Sequence, residues 1–277
     1  MHKEKSLIPL SLEAENKAMA AAGTGAKENN AADDSAEVIA AESAEWAKLI
    51  RSLHGYFTHA ELALWGCSVL LIVASFALFD RENLLTLAAS LVGVSSLIFC
   101  AKGNPLGQFL MVIFSLLYGL ISLSYSYYGE MLTYLGMTMP MAVLALISWL
   151  KNPYRGKRSQ VQVNRLGRRE WPFVALMTAL VTVVFYFILA AWNTVNLVPS
   201  TISVSTSFVA VYLTFRRSPF YAVGYAANDV VLIVLWSMAA LDDSSYVSVV
   251  VCFAAFLVND LYGFVNWRKM AREQRLR

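Results

Sequence analysis

Between Glu61 and Trp267 the chain runs through one apolar stretch after another, each about 20 residues long and broken by short polar turns. A stretch of that length spans the hydrocarbon core of a bilayer as a helix. Lipid offers no partner for backbone polar groups, so such a chain must satisfy them inside each helix. The pattern therefore restricts the fold to an all-α bundle of membrane-spanning helices. Composition agrees, since 58% of the 277 residues are hydrophobic and only 15% are charged, against about 25% in soluble domains. A soluble protein with a large core would need interrupted, amphipathic helices instead.

Eight spans are predicted, at about 61–79, 84–101, 105–127, 131–150, 171–192, 196–215, 219–241 and 245–267. The third and fourth are separated only by the few residues around Gly129 and Glu130. Residues 1–60 read as a largely disordered cytoplasmic tail, because 11–45 are rich in Ala, Glu, Asn and Ser and carry few large apolar side chains. Within it, 46–60 is expected to form a short interfacial helix with Trp46, Leu49, Ile50 and Leu53 on one face. No basic region followed by an apolar core marks a signal peptide. Cys67, Cys100 and Cys252 fall inside spans with no pairing pattern and read as small apolar fillers. The three histidines precede the first span, so no intramembrane His is available as a proton relay. No metal, cofactor or nucleic-acid partner is expected.

Loop charge orients the bundle. The longest loop, Lys151 to Glu170, carries Lys151, Arg155, Lys157, Arg158, Arg165, Arg168 and Arg169, which places it in the cytoplasm by the positive-inside rule. Alternation then puts Lys102, Arg216-Arg217 and Arg268-Lys269 on the same side. Asp242-Asp243, the Asn193–Asn196 turn and Gly129-Glu130 fall outside, and both termini are cytoplasmic.

The chain also repeats itself. Spans two to four pass a basic loop and Pro105 and end at Trp149-Leu150-Lys151; spans six to eight pass Arg216-Arg217 and Pro219 and end at Trp267-Arg268-Lys269. Each Trp is expected at the cytoplasmic interface, where indoles are favoured. A three-helix unit has odd parity, so a second copy in the same orientation needs one linking helix, and span five supplies it. The predicted layout is 1+3+1+3. An accessory helix (61–79) is followed by a first bundle (83–151), a basic loop with the linking helix (152–195), a second bundle (196–267) and a basic tail (268–277). Parallel repeats of this kind place a substrate site near midplane between the halves.

Two Asn-Asp pairs, Asn228-Asp229 and Asn259-Asp260, interrupt apolar spans. Ionisable groups at that depth usually face a partner, a water-filled cavity or a ligand. Tyr225, Asn228 and Asp229 share a face of span seven, and Trp236 continues it. Asn259, Tyr262 and Asn266 form a stripe on span eight, with Gly263 on the same face. Asp229 is expected close to the bilayer centre and Asp260 shallower. The first triplet offers Gln108, one turn after Pro105, and Tyr118. Carboxamides and carboxylates hydrogen-bond hydroxyls and ring amides, aromatic faces stack on a flat heterocycle, and both stabilise a cationic ring. This is chemistry for recognition. An intramembrane enzyme is disfavoured, because no His, Ser-Lys, metal-ligand set or Gly-rich phosphate loop accompanies the carboxylates.

The segments Ala101-Lys102-Gly103-Asn104-Pro105-Leu106-Gly107-Gln108, Tyr118 to Trp149, Tyr221 to Asn228 and Asn259 to Trp267 resemble the PnuC family of vitamin-precursor transporters over residues 83–270. The resemblance implies two parallel three-helix bundles joined by one helix, and a nicotinamide riboside carrier in a bacterial inner membrane. It also implies facilitated diffusion, trapping by a cytoplasmic kinase, and a homotrimer. Many members carry a Trp-x-x-Trp-x-x-Asn motif at the start of the penultimate span. The matching positions here are Ala222, Tyr225 and Asn228, with Tyr221 next to the missing first ring. Relatives carry thiamine, riboflavin or deoxynucleosides, and these are the alternative substrates. The resemblance and the polar pattern together nominate Gln108, Tyr118, Tyr221, Tyr225, Asn228, Asp229, Trp236, Asn259, Asp260, Tyr262 and Asn266 as substrate-binding residues.

Overall fold

The computed structural model describes residues 55–124, 127–194 and 196–276. The expected tail, 1–45, and most of the expected interfacial helix, 46–60, lie outside the described residues. Of the compact unit that ends at His59, Tyr56 and Phe57 pack edge to face. Residues Ala60–Arg277 form the second unit.

Among the described residues, eight helices are long and apolar enough to cross a membrane. They are α1 (His59–Phe79), α2 (Leu84–Ala101), α3 (Pro105–Ser124), α4 (Tyr128–Lys151), α5 (Glu170–Ala191), α6 (Leu197–Phe215), α7 (Tyr221–Ala240) and α8 (Ser244–Leu276, opening with a 3₁₀ turn to Tyr246). The chain is thus an all-α polytopic membrane protein. Helix α3 ends at Ser124 and α4 begins at Tyr128, so Glu130 lies inside the fourth helix and not in the outer turn expected from sequence. Its π segment, Leu132–Thr138, separates an α-helical turn (Tyr128–Met131) from an α-helical second half (Met139–Lys151). Helix α8 continues through the basic residues after Trp267 to Leu276.

Six helices close a ring by pairwise packing in the order α2, α3, α4, α6, α7, α8 and back to α2. Helix α5 packs on the outside of α6, joined by the Thr182–Ser205 hydroxyl contact (2.7 Å) and by Glu170–Arg216 (2.8 Å). Only Val174 and Leu189 of its 22 residues are buried, as suits a helix bathed in lipid. Two glycines set the closest approaches. A Cβ on Gly107 would lie 2.5 Å from the Cys100 amide nitrogen of α2, and one on Gly224 would lie 2.8 Å from the Ala210 Cα of α6. Small residues at such crossings let helix backbones approach closely in lipid.

The helix ends on the basic side are built alike. After α2 the Gly103 and Asn104 amides donate to Cys100 O and Phe99 O, with Gly103 at φ 68°. After α6 the Arg217 and Ser218 amides donate to Thr214 O and Leu213 O, with Arg217 at φ 57°. Both are Schellman caps with a left-handed residue at the turn. The Lys151–Glu170 segment, expected as a plain loop, contains a β-hairpin of Pro153–Tyr154 and Lys157–Val161. Arg155 and Gly156, both at positive φ, form its turn, as two-residue hairpin turns require. The hairpin is stitched across the basic end, since Val161 N donates to Gly103 O, Asn164 N to Arg217 O, and Val163 N to Gln274 Oε1. At the other end Asp80, Glu82 and Asp243 gather. Burial, and then Asp243 and Glu82, hold the Asp80 carboxyl above its ordinary pKa.

Candidate functional site

The expected site residues separate into three groups. The first faces the interior of the ring. Asp229 of α7 and Asp260 of α8 are both about 4% exposed, and their carboxyls stand within hydrogen-bonding reach of each other. They therefore share one level, contrary to the different depths expected. The helix starts at Tyr221, which leaves Asp229 about 12 Å from the basic end, while Asp260 lies about 10 Å from Trp267. Asp229 Oδ2 has no hydrogen-bond partner. From α3, Gln108 donates through Nε2 to Cys100 Sγ at 3.1 Å, and its Oε1 is buried without a partner. Tyr221 and Tyr225 pack edge to face at 6.1 Å along the same wall.

Asn228 sits one residue before Asp229, 2% exposed, with its Oδ1 within 3.3 Å of three α6 hydroxyls. Thr206 divides a single proton among Asn228 Oδ1, Ile202 O and Ser203 O, whereas Ser203 and Ser207 aim theirs at Asn228. A carbonyl oxygen has two lone pairs, so the two serines saturate it. Glu130, 1% exposed, lies within reach of the Ser203 hydroxyl, but neither of its carboxyl oxygens has a well-aligned hydrogen bond. Sequence reasoning missed Glu130 by reading it as a turn residue. It missed Ser203, Thr206 and Ser207 because hydroxyls are common in apolar helices. The available signal was their i, i+3, i+4 spacing on one face of α6.

The second group bounds this polar layer. The Tyr118 hydroxyl accepts from Trp236 Nε1 at 2.6 Å. The Tyr118 ring also packs on Phe114, Tyr134 and Phe253, and Trp236 packs on Tyr127 and Tyr246. On α7, Trp236 lies about 10 Å beyond Asp229, so these rings form a ceiling. The floor is Trp149, Trp267 and Tyr221, with ring centroids 5.4 and 4.9 Å apart in sequence. Trp149 donates to Thr214 O (3.0 Å) and Trp267 to Cys100 O (2.8 Å). Both indoles are 0% exposed, so they are core residues and not the interfacial belt expected. Their N–H groups find helix-end carbonyls inside the protein instead of headgroup water.

The third group points away from the interior. Asn259 Nδ2 donates to Ser68 Oγ of α1 (2.9 Å), and the Tyr262 hydroxyl donates to Glu61 of α1 (3.0 Å). Glu61 also pairs with Lys102 at 3.0 Å. Asn266 Nδ2 donates to Ala101 O (2.9 Å). The expected stripe therefore fastens α8 to the accessory helix and to the end of α2. Asn259 Oδ1 alone of these groups is buried and unpaired.

A family model described as "Nicotinamide mononucleotide transporter" matches residues 83–269. The chain belongs to this family. Among curated members, a nicotinamide riboside transporter PnuC of Neisseria mucosa is 26% identical over 235 residues, covering 83% of this chain and 88% of that one. Another from Haemophilus influenzae is 21% identical over 193 residues, covering 69% and 82%. A solved structure, "Crystal structure of the Vitamin B3 transporter PnuC", superposes with a TM-score of 0.71 at 23% identity, covering 82% of this chain and 98% of that one. The match gives the fold. Family membership makes this PnuC-family chain a multi-pass membrane transporter and not an enzyme. The matched region begins at residue 83, so helix α1 lies outside it.

Proposed function

We propose that the chain carries nicotinamide riboside across the membrane by facilitated diffusion, through a chamber between the aromatic ceiling and floor. The observation that carries this reading is the set of buried, unpaired acceptors on different walls of the ring: Gln108 Oε1, Asp229 Oδ2 and both oxygens of Glu130. Buried polar atoms in native proteins are almost always satisfied, and a bound ligand with hydroxyl and amide donors would satisfy these. The curated relatives are riboside transporters by name. Carboxylates around a ring of tyrosines suit a pyridinium nucleoside in particular, whose cation they stabilise. The substrate residues in this proposal are Gln108, Tyr221, Tyr225, Asn228, Asp229, Asp260 and Glu130, with Tyr118 and Trp236 above them.

The two-bundle repeat belongs to the same proposal. Its support is that every contact of the ring maps onto another when α2, α3, α4 are exchanged for α6, α7, α8, and that the matching helix ends carry the same cap and the same indole donor. Loop charge supports cytoplasmic termini, and trapping by a cytoplasmic kinase and assembly as a homotrimer complete the reading. A second reading rests on Ala222, which stands where the family motif has a tryptophan. A smaller wall there would suit a different heterocycle, such as that of thiamine, riboflavin or a deoxynucleoside.

Influx of labelled riboside into proteoliposomes tests the first reading. Uptake should equilibrate without ATP or an ion gradient, and should continue past equilibrium when a riboside kinase and ATP are enclosed. Uptake that needs a proton gradient would overturn facilitated diffusion. Tighter binding of thiamine, riboflavin or a deoxynucleoside in a parallel screen would favour the second reading.

A further inference from the structure

At the basic end a cavity of about 420 Å³ opens between the segment after the hairpin, the first turn of α5, the α6–α7 turn and the end of α8. Four guanidinium groups line it, from Arg165, Arg268, Arg272 and Arg275. The last three follow i, i+4, i+7, so they share one face of α8. No carboxylate is in the wall. Arg216 nearby is neutralised by Glu170, but these four form no ion pair with a described residue. Like charges gathered in one concavity repel, and although Arg268 also lies over the Phe220 and Phe264 rings, a bound anion would relieve that repulsion. Ser218, Pro219 and Phe220, the three residues just before α7, face the same space. Arg217, one residue earlier, keeps Nε and Nη1 buried without a partner.

Trp171 and Phe220, packed edge to face at 5.9 Å, form one wall. The same two rings also line a second cavity of about 370 Å³, which runs between α5, α6 and α7 along Val209, Leu213, Val223 and Ala227. The charged cavity and an apolar groove on the outer side of the ring thus adjoin at the Trp171–Phe220 pair. A free phosphate would use only the first. A molecule with a phosphate at one end and an alkyl chain at the other uses both.

We propose that these joined cavities bind one anionic phospholipid, its phosphate among the four arginines and an acyl chain in the groove between α5, α6 and α7. The site would fasten the outer helix α5 to the ring. It stands apart from the substrate chamber, so it holds whichever riboside or nucleoside the protein carries.

The test uses the full chain in nanodiscs of phosphatidylcholine alone or with phosphatidylglycerol, read by thermal unfolding and by native mass spectrometry of retained lipid. Phosphatidylglycerol should raise the melting temperature by about 4 °C and leave one lipid bound. The variant Arg272→Gln with Arg275→Gln should lose both effects yet match the parent in phosphatidylcholine, while Arg272→Lys with Arg275→Lys should keep most of the shift. Ala227→Trp, which fills the groove without altering charge, should also lower lipid retention. Equal melting temperatures in the two lipids would overturn the proposal, as would an undiminished shift in the Gln variant. Saturation of the shift by inorganic phosphate alone in detergent would also sink it, and would identify a small phosphate site instead.

Discussion

Trp149 and Trp267 lean on each other with centroids 5.4 Å apart, and the Trp149 indole of α4 reaches the end of α6 while that of Trp267 in α8 reaches the end of α2. The accepting carbonyls, Thr214 O and Cys100 O, are the ones that already accept the capping amide after α6 and α2. Each Trp therefore clamps a helix end that the chain has just terminated. Trp149→Phe and Trp267→Phe keep the ring and remove the donor, while the carbonyl keeps its capping amide. Each should cost about 1 kcal/mol, read by thermal unfolding, and the two losses should be of equal size. A clear inequality would argue against equivalent halves.

Asn228→Leu should weaken riboside binding by about 10- to 100-fold, as when a buried hydrogen-bonding group is removed. Folding should persist, because Ser203 and Ser207 can turn their hydroxyls back to carbonyls of their own helix. Calorimetric titration measures the first and thermal unfolding the second. Unchanged affinity would remove Asn228 from the chamber.

Asp229→Asn keeps the shape and one acceptor oxygen but removes the charge. It should weaken a cationic riboside by at least about tenfold more than its neutral, reduced counterpart. Equal loss for both ligands in the same titration would assign Asp229 to helix pairing.

Glu130→Gln is expected to act in opposite directions on stability and transport. A buried carboxyl with no hydrogen-bond partner is costly, so its neutral isostere should melt higher. If Glu130 contributes to cation recognition, initial influx of the cationic riboside should fall in the same variant. A higher melting temperature with unchanged influx would leave Glu130 outside the chamber.

Gly224→Val drives a side chain into the Ala210 backbone, where no flexible group can yield. It should destabilise by about 1–3 kcal/mol. Gly66→Ala on α1 meets nothing within 4 Å and should be neutral or slightly stabilising. Paired thermal unfolding of the two variants checks this contrast.

Eight spans were legible because lipid demands long apolar helices, and their ends fell at charges, prolines and glycines that the structure also uses as ends. What failed was decided across helices. Nothing local to Asn259, Tyr262 and Asn266 reveals that Ser68, Glu61 and Ala101 wait for them, so a polar stripe read as a cavity wall binds neighbouring helices instead. Trp149 and Trp267 matched an interfacial pattern by position, but tertiary carbonyls claimed their N–H groups. Glu130 was hidden by a helix start three residues earlier than the apolar run implied. Asn228 and Asp229 stood out in the sequence because a polar pair in lipid is expensive wherever it lies.

The π segment in α4 has a consequence for which way that helix faces. Glu130 and Trp149 are both buried, 1% and 0% exposed, though 19 positions apart. At about 100° per residue a regular α-helix would rotate them about 100° out of phase, sending one toward lipid. A π turn absorbs one extra residue, and 18 effective steps return close to five whole turns. Leu132–Thr138 thus works as a phase corrector. It allows a single helix to bury a carboxylate near one end and an indole at the other.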